Sequence, residues 1–231
     1  MGALAGRLAL VTGASRGIGA AIAAVLAEEG ATVVRVSRGP ADTTGAPGLI
    51  DVRADLATDE GLAQLIRETL ALGIPDLIVS SAGGFSLGDL GDDTVESLDR
   101  LYRLNLRAPI AVAGAFLPRM RERGHGRHVL IGSIADHQAF PGNAAYAATK
   151  FGLRGFHEVL RAEYRGTGVL CSLVSPGPVD TAMWDPIDPD NRPGFPPRSS
   201  MLRPGDVADA VRWIAIQPGR VDVAGIQLYP A

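Results

Sequence analysis

A glycine-rich turn between a short apolar strand and a helix constrains the fold of this chain most. Leu8 to Val11 is an apolar run of strand length, and it leads into Thr12-Gly13-Ala14-Ser15-Arg16-Gly17-Ile18-Gly19. Apolar residues then recur at helical spacing up to Gly30, a residue that commonly ends helices. A strand, a glycine turn and a helix in this order present free backbone N–H groups and the positive end of a helix dipole to a pyrophosphate. The pattern therefore predicts an α/β nucleotide-binding domain.

The alternation of strands and helices continues along the chain. We predict further strands at 32–37, 49–52, 76–80, 127–132 and 226–228, with a sixth strand before Pro176, and helices over 62–70, 95–123 and 204–217. A loop rich in glycine, proline and threonine is expected at 39–48. Such alternation is typical of a parallel sheet covered on both faces. With 231 residues and 46% hydrophobic content, residues 1–231 are expected to form one doubly wound domain with seven strands.

Composition excludes several classes of function. The net charge of −3 and the isoelectric point near 5.8 give no support for nucleic-acid binding. No apolar run approaches the roughly 18 residues of a membrane span. The single cysteine, Cys171, excludes an intramolecular disulfide framework and favours a cytoplasmic protein. The four histidines do not form a metal-binding spacing, so no metal site is expected.

Tyr146 and Lys150 are four residues apart in an alanine-rich segment, and the same face of a helix would carry both. Lys150 is the only lysine among 22 basic residues. An ammonium about 4 Å from a phenol is expected to lower the phenol's pKa of ~10 by about 2 to 3 units. Tyr146 would then act as a general acid or base at neutral pH. The alternative is an ordinary helical pair, because a four-residue spacing alone is a weak motif.

Two further positions point to the same site. Ser133 ends the strand predicted at 127–132, thirteen residues before Tyr146, where it would meet the tyrosine hydroxyl unless it is an ordinary turn serine. Pro109 lies inside the long helical stretch and has no N–H, so it leaves the main-chain carbonyl of Asn105 without its helical donor. Our hypothesis is that this carbonyl holds an ordered water near the active site.

The end of the second predicted strand bears on cofactor choice. An acidic residue there would bind the ribose 2′-hydroxyl of NAD, but this strand ends in Ser37-Arg38. Arg16, in the glycine turn, would reach the same corner, and two guanidiniums suit a phosphate. We therefore predict NADP(H) rather than NAD(H), the alternative being that both are ordinary surface arginines. Asp55, before Leu56, is placed either to meet the adenine edge or to cap the next helix.

These motifs together resemble those of the short-chain dehydrogenase/reductase family, in its compact single-domain branch, over nearly the full chain. Thr12 to Gly19 is similar to the cofactor turn of that family. Ser81-Ala82-Gly83 resembles its Asn-Asn-Ala-Gly motif, with serines at positions 80 and 81. Asn105, Ser133, Tyr146 and Lys150 match its catalytic tetrad in order, and the segment 176–181 matches its nicotinamide-side motif.

The resemblance implies hydride transfer between nicotinamide C4 and a carbonyl carbon, while Tyr146 exchanges the proton on oxygen. Ser133 would orient that oxygen, and Lys150 would bind the nicotinamide ribose and lower the pKa of Tyr146. The Asn105 water would relay protons from Lys150 to solvent. The expected cofactor contacts are Gly13, Ser15, Arg16, Gly17, Ile18, Gly19, Ser37, Arg38, Asp55, Leu56, Ser81, Ala82, Gly83, Tyr146, Lys150, Pro176, Gly177, Val179 and Thr181.

The segment 180–200 is expected to form a substrate lid, and it contains five prolines. Met183, Trp184 and Phe195 offer apolar contact area, which with Ser133 and Tyr146 suggests a ketone or aldehyde with a hydrophobic portion. We predict a carbonyl reductase or alcohol dehydrogenase of small molecules. The resemblance also implies a homo-oligomer, a dimer or a tetramer.

Two alternatives remain open at this point. One is a 3-oxoacyl thioester reductase, whose acyl carrier protein would dock on Arg119, Arg121 and Arg123. The other is a non-catalytic NADP-binding regulator, which would be distinguished by a broken tetrad.

Overall fold

A parallel sheet of seven strands forms the centre of the molecule. The computed structural model describes residues 2–39, 47–89 and 91–231, so most of the loop predicted at 39–48 lies outside the described residues. The strands lie in the order β3-β2-β1-β4-β5-β6-β7, and every neighbouring pair is parallel. The six strands predicted with both ends are confirmed to within one residue. The strands are β1 Leu8–Thr12, β2 Thr32–Ser37, β3 Leu49–Arg53, β4 Leu77–Ser80, β5 Gly126–Ile131, β6 Val169–Pro176 and β7 Gly225–Leu228.

Helices cover both faces of the sheet, as the predicted doubly wound fold requires. They are α1 Gly17–Glu28, α2 Asp59–Leu72, α3 Val95–Tyr102, α4 Ala108–Arg123, α5 Ala144–Glu163 and α6 Pro204–Ile216. Helices α1 and α6 pack their apolar residues on one face. Helices α2, α4 and α5 pack on the other, around the fully buried Phe116. None of the helices in the described part of the chain is long and apolar enough to cross a membrane.

A π-helical segment divides the helical stretch predicted over 95–123. It spans Arg103–Arg107, between α3 and α4, and the N–H of Ala108 donates to the carbonyl of Arg103, five residues back. Pro109 stands in the first turn of α4. The inserted turn carries Asn105, which is 2% exposed, into the interior. Such π-bulges are frequent at functional sites.

The strand order reverses between β1 and β4, and two turns meet at their carboxyl ends. Gly13 has a φ of +70°, and a Cβ there would lie 2.7 Å from the Cα of Ala82, so a side chain would separate the two turns. The hydroxyl of Thr12 accepts hydrogen bonds from the backbone N–H groups of Ser81 and Ala82, each at 3.1 Å. Ligands of open α/β sheets bind in the crevice at this reversal of strand order.

Candidate active site

A cleft of about 1060 Å³ runs along the carboxyl edge of the sheet. Pockets for one drug-sized ligand have roughly 300–1,000 Å³, so this cleft has room for a cofactor and a substrate together. Asn105 does not line the cleft. Every other predicted site residue does, including the glycine turn, Ser133, Tyr146, Lys150 and the lid residues Met183, Trp184 and Phe195.

The structure brings Ser133, Tyr146 and Lys150 together at one end of the cleft. Ser133 follows β5; its side chain lies near enough to the phenol of Tyr146 to lower the pKa of that phenol, and both residues line the cleft. Tyr146 and Lys150 lie one turn apart near the start of α5. The Lys150 Nζ donates to the carbonyl of Ile131 at 3.0 Å and lies 5.6 Å from the centroid of the Tyr146 ring. The arrangement offers two hydroxyl groups to one substrate oxygen.

Asn105 acts on this site through its neighbours. Its Oδ1 accepts from the N–H of Gly84 at 2.7 Å, and its Nδ2 donates to the carbonyl of Gly84 at 3.0 Å and to the hydroxyl of Thr149 at 3.1 Å. Thr149 precedes Lys150 and donates to the carbonyl of Tyr146 at 2.7 Å. The Asn105 side chain thus ties the turn after β4 to the helix that carries the tyrosine and lysine. The water on its main-chain carbonyl stays a prediction.

The opposite end of the cleft has the features that a dinucleotide needs. Helix α1 begins after Arg16, whose side chain makes no capping hydrogen bond, and its first turn contains no acidic residue. By contrast, Thr58 caps α2, and Asp59 and Glu60 follow in its first turn. A Cβ at Gly19 would overlap the carbonyl of Gly13, so a side chain there would disrupt the turn. The N–H groups at the start of α1 are therefore available to a phosphate.

Arg16 and Arg38 both line this end of the cleft and are exposed. Within the described part of the chain neither guanidinium is held in a salt bridge, so both can turn toward a ligand. The hydroxyl of Ser37 donates to the carbonyl of Gly39 at 2.7 Å. The residues present fit a phosphorylated dinucleotide.

Comparison with known proteins agrees with this geometry. The sequence profile described as short chain dehydrogenase matches residues 7–192. The chain belongs to this family. An uncharacterized oxidoreductase of Staphylococcus aureus (strain USA300) is 32% identical, and the alignment covers all of both chains. This chain is therefore an oxidoreductase of the short chain dehydrogenase family.

Solved structures of short-chain oxidoreductases share the fold. A metagenomic short-chain oxidoreductase in complex with NADP is 30% identical, with a TM-score of 0.81 and 99% of each chain covered. A 3-oxoacyl (acyl-carrier-protein) reductase from Agrobacterium tumefaciens with NADP bound is 28% identical, with a TM-score of 0.82, and the match covers 99% of this chain and 95% of that one.

The expected lowering of the tyrosine pKa is wrong for this dehydrogenase in its free state. Burial raises the pKa of Tyr146 to about 12; the nearby Ser133 side chain lowers it, and the charge of Asp136 raises it further. Burial also lowers the pKa of Lys150 to about 8, against the opposing influence of Asp136. Loss of water around each group is the largest influence on its pKa.

Sequence reasoning missed Asp136, a buried carboxylate beside the tetrad. It ends the 3₁₀ helix Ile134–Asp136, and it forms a reciprocal capping box with Ser133. Its Oδ2 accepts from the N–H of Ser133 at 3.3 Å and from the hydroxyl of Ser175 at 2.5 Å. The Ser-x-x-Asp spacing at 133–136 was the signal that could have found it.

Asp55 does not cap the following helix, so that alternative is wrong. Its Oδ1 accepts from the N–H of Ala57 at 3.1 Å, and its Oδ2 accepts from Arg100 at 3.3 Å, while the Thr58 hydroxyl caps α2. Burial opposes these hydrogen bonds, but together with the charges of Arg100 and Arg38 they hold the pKa of Asp55 below its ordinary value. Arg100, which no sequence signal singled out, also lines the cleft.

The substrate end of the cleft has an aromatic wall. The ring of Phe85 meets Tyr146 edge-on with centroids 4.9 Å apart, and it lies 5.4 Å from Trp184, which is 6.3 Å from Phe195. Phe85 was also missed, although an aromatic residue directly after Ala82-Gly83-Gly84 stands at the predicted ligand edge. In the segment 180–200, which was predicted to be a lid, Arg198 binds Asp180 at 2.8 Å and Asp185 at 2.6 Å.

Proposed function

We propose that this protein is an NADP(H)-dependent oxidoreductase that interconverts a ketone or aldehyde with its alcohol on a small, partly hydrophobic substrate. One observation carries the proposal. A single cleft joins Ser133 and Tyr146 to the start of α1, which has no side-chain cap, and to Arg16 and Arg38, which are exposed and form no salt bridge with the other residues that the structure describes. The proposed catalytic residues are Asn105, Ser133, Tyr146 and Lys150.

The proposed roles follow from the geometry of these side chains. A bound nicotinamide would supply or accept the hydride. The hydroxyls of Ser133 and Tyr146 hold the substrate oxygen, and Tyr146, whose high pKa keeps it protonated, donates the proton in the reducing direction. Lys150 is held by the Ile131 carbonyl, and in the proposed site it would bind the nicotinamide ribose. Asn105 keeps the helix start aligned through Gly84 and Thr149.

Exposed arginines support NADP(H) as the cofactor. Arg16 and Arg38 flank the corner where a 2′-phosphate would lie. The similar metagenomic and Agrobacterium proteins are each described with NADP bound. We expect the double variant Ser37→Asp/Arg38→Leu to lower the NADPH-to-NADH ratio of kcat/KM by about 100-fold, as loss of a charge-assisted phosphate contact implies. The variant Arg53→Leu, nearby on β3, should leave the ratio within about twofold; an unchanged ratio in the double variant would remove Arg38 from the site.

The aromatic wall favours planar or alicyclic ketones over charged substrates. Phe85, Trp184 and Phe195 form a continuous surface beside Tyr146, and Met183 lies 44% exposed at its edge. An apolar surface of this kind contributes affinity in proportion to the area it covers. The lid carboxylates of Asp180 and Asp185 are occupied by Arg198.

The thioester reductase alternative gains no support from its expected docking site. Arg123 donates to the carbonyls of Ile74 and Pro75 at 2.8 and 2.7 Å, and Arg119 donates to the carbonyl of Ala115. Two of the three arginines predicted to dock the carrier protein thus bind backbone carbonyls of this protein itself. The regulator alternative predicts cofactor binding without turnover.

The decisive experiment follows NADPH consumption by the purified protein with aryl ketones, cyclic ketones and acetoacetyl thioester. We expect turnover of the ketones. Turnover of the thioester alone would support the acyl-chain alternative, and NADPH binding without any turnover would support the regulator. A Phe85→Ala variant should raise KM for the aryl ketones about tenfold, as loss of one buried aromatic contact implies.

The remaining expectations are also proposals. We propose one domain over residues 1–231, with residues 180–200 as its substrate lid, in a cytoplasmic protein. A homo-oligomer would cover the apolar residues that α3 and α5 expose, such as Val95, Phe151 and Val159, which are 69%, 46% and 53% exposed. Light scattering should give the mass of a dimer or tetramer of the 24.0 kDa chain.

A further inference from the structure

The proposed mechanism leaves one buried charge beside the tetrad without a role. Asp136 is 1% exposed. A buried carboxylate needs hydrogen-bond donors, and this one has three: the N–H of Ser133, the hydroxyl of Ser175 and the Nδ1 of His137 at 2.5 Å. A Cβ at Gly132 would overlap the carboxylate, so the end of β5 is shaped to admit it. The carboxylate therefore has a built site.

Hydrogen bonds continue from this carboxylate to the surface. The Nε2 of His137 lies 3.2 Å from the hydroxyl of Tyr229, which lies 3.3 Å from the Oε1 of Gln227. Tyr229 is 49% exposed. The imidazole of His137 therefore links the buried carboxylate to a hydroxyl at the surface.

Asp136 interacts electrostatically with two members of the tetrad. Its charge raises the pKa values of Tyr146 and Lys150, both of which face it from α5. Strand β6 presents the uncharged hydroxyl of Ser175, and Tyr229, which follows β7, reaches Asp136 through His137. Burial is the larger influence on both groups; the carboxylate charge opposes it at Lys150, where it favours the ammonium, and adds to it at Tyr146, where it favours the phenol.

We propose that Asp136, linked by His137 to Tyr229, is a positioning residue that fixes Ser133 and sets the pH range in which Tyr146 and Lys150 exchange protons. The catalytic part of this inference rests on the proposed function. Its structural part stands on the burial and the three donors of Asp136. In the proposed reaction it favours the proton-donating form of Tyr146 and hence carbonyl reduction near neutral pH.

The single lysine allows a direct test. Protein labelled with ¹³C at lysine Cε gives one lysine signal, from Lys150, whose chemical shift follows its protonation. We expect a midpoint near pH 8 in the natural protein and about one pH unit lower in Asp136→Asn, because the carboxylate charge is lost. The asparagine oxygen can accept from Ser133 and Ser175, and its amide N–H can donate to His137 Nδ1 when the imidazole carries its proton on Nε2, so the three contacts are kept with the His137 bond reversed.

The direction in which the Lys150 midpoint moves distinguishes the loss of the Asp136 charge from a loosening of the site. A loosened site admits water to Lys150 and moves the midpoint up, toward the ordinary value of 10.5. Ser175→Ala, which removes a donor and keeps the charge, is the matched control and should leave the midpoint within about 0.3 pH unit. If Asp136→Asn does not fold, the smaller neutral variant Asp136→Ser carries the same expectation. A midpoint that is unchanged or higher in the neutral variant overturns the proposal.

A second measurement connects the titration to catalysis. In Asp136→Asn, the pH profile of alcohol oxidation, which needs the Tyr146 phenolate, should move about one unit to lower pH. An identical profile would contradict the catalytic part. If the natural protein turns over no substrate, the proposed function fails, but the Lys150 titration still decides whether Asp136 sets the charge of the site.

Discussion

Two clusters of buried or half-buried polar side chains lie around β5, α5 and β6, one of them including Ser80 of β4, and only the other faces the cleft. The active-site cluster consists of Ser133, Asp136, Tyr146, Lys150 and Ser175. The core cluster lies closer to the middle of the sheet and consists of Ser80, His128, His157 and Cys171. Both contain hydroxyls and titratable groups.

Burial dominates the chemistry of the core cluster. His128 is fully buried, and its Nε2 pairs with the Ser80 hydroxyl at 3.1 Å, while its Nδ1 has no partner among the residues that the structure describes. Burial lowers the pKa of His128 to about 3 and raises that of Cys171 to about 12. His157 binds the carbonyl of Cys171 at 3.3 Å. These groups are held uncharged near neutral pH.

The comparison shows that a perturbed pKa does not by itself mark a functional site. Burial shifts the pKa values in both clusters, and the largest shift belongs to His128 in the core. The active-site cluster differs in having a carboxylate, Asp136, among its bases and in opening to the cleft. The presence of a carboxylate and access from the cleft together distinguish the active-site cluster from the core cluster.

The largest effect on turnover is expected when the tyrosine in the cleft is replaced, rather than the second tyrosine of the same helix. Tyr146→Phe removes the only phenol in the active-site cluster, and we expect turnover to fall about 1,000-fold with cofactor affinity unchanged. Tyr164→Phe, at the C-terminal end of α5, makes the same change outside the cleft and should keep turnover within about twofold. Steady-state kinetics measure turnover, and fluorescence titration with NADPH measures cofactor affinity. Comparable losses of turnover in the two variants would contradict the role of Tyr146.

Lys150→Met should stabilise the protein while it reduces activity. Because the folded-state pKa is about 8 and the ordinary value is 10.5, the unfolded chain binds the lysine proton more tightly, which costs the native state stability below pH 8. The substitution removes this cost, but it also removes the hydrogen bond to Ile131. We therefore expect the free energy of unfolding at pH 7 to rise by about 2 kcal/mol. Urea unfolding measures it. The gain should shrink between pH 8 and 10.5, and a destabilised variant at pH 7 would show that Lys150 is well solvated.

His128 should give the core cluster a pH dependence of its own. Its folded-state pKa is about 3 against an ordinary 6.5, so the unfolded chain binds more protons and stability falls as pH drops below 6.5. We expect this histidine to account for about 1.4 kcal/mol of lost stability at pH 5.5. In the variant Ser80→Ala/His128→Leu that part of the acid sensitivity should be absent, with turnover at pH 7.5 unchanged. An unaltered pH dependence would mean that His128 is charged in the folded protein.

Positions 80 and 81 are serines, where the motif of the family has asparagines. In the structure the Ser80 hydroxyl pairs with His128 across β4 and β5, and Thr12 binds the backbone of Ser81. A histidine on the neighbouring strand supplies the contact, and no spacing in the sequence connects positions 80 and 128.

The strands, the helices and the candidate site were predictable from local patterns, because hydrophobic periodicity and turn residues act over short distances along the chain. The glycine turn, the helix start at Gly17 and the pairing of Tyr146 with Lys150 needed only short-range spacing. The protonation of the site was not predictable in this way. The pKa values of Tyr146 and Lys150 depend on how much water the surrounding elements exclude and on the position of Asp136, and both are properties of packing between distant segments.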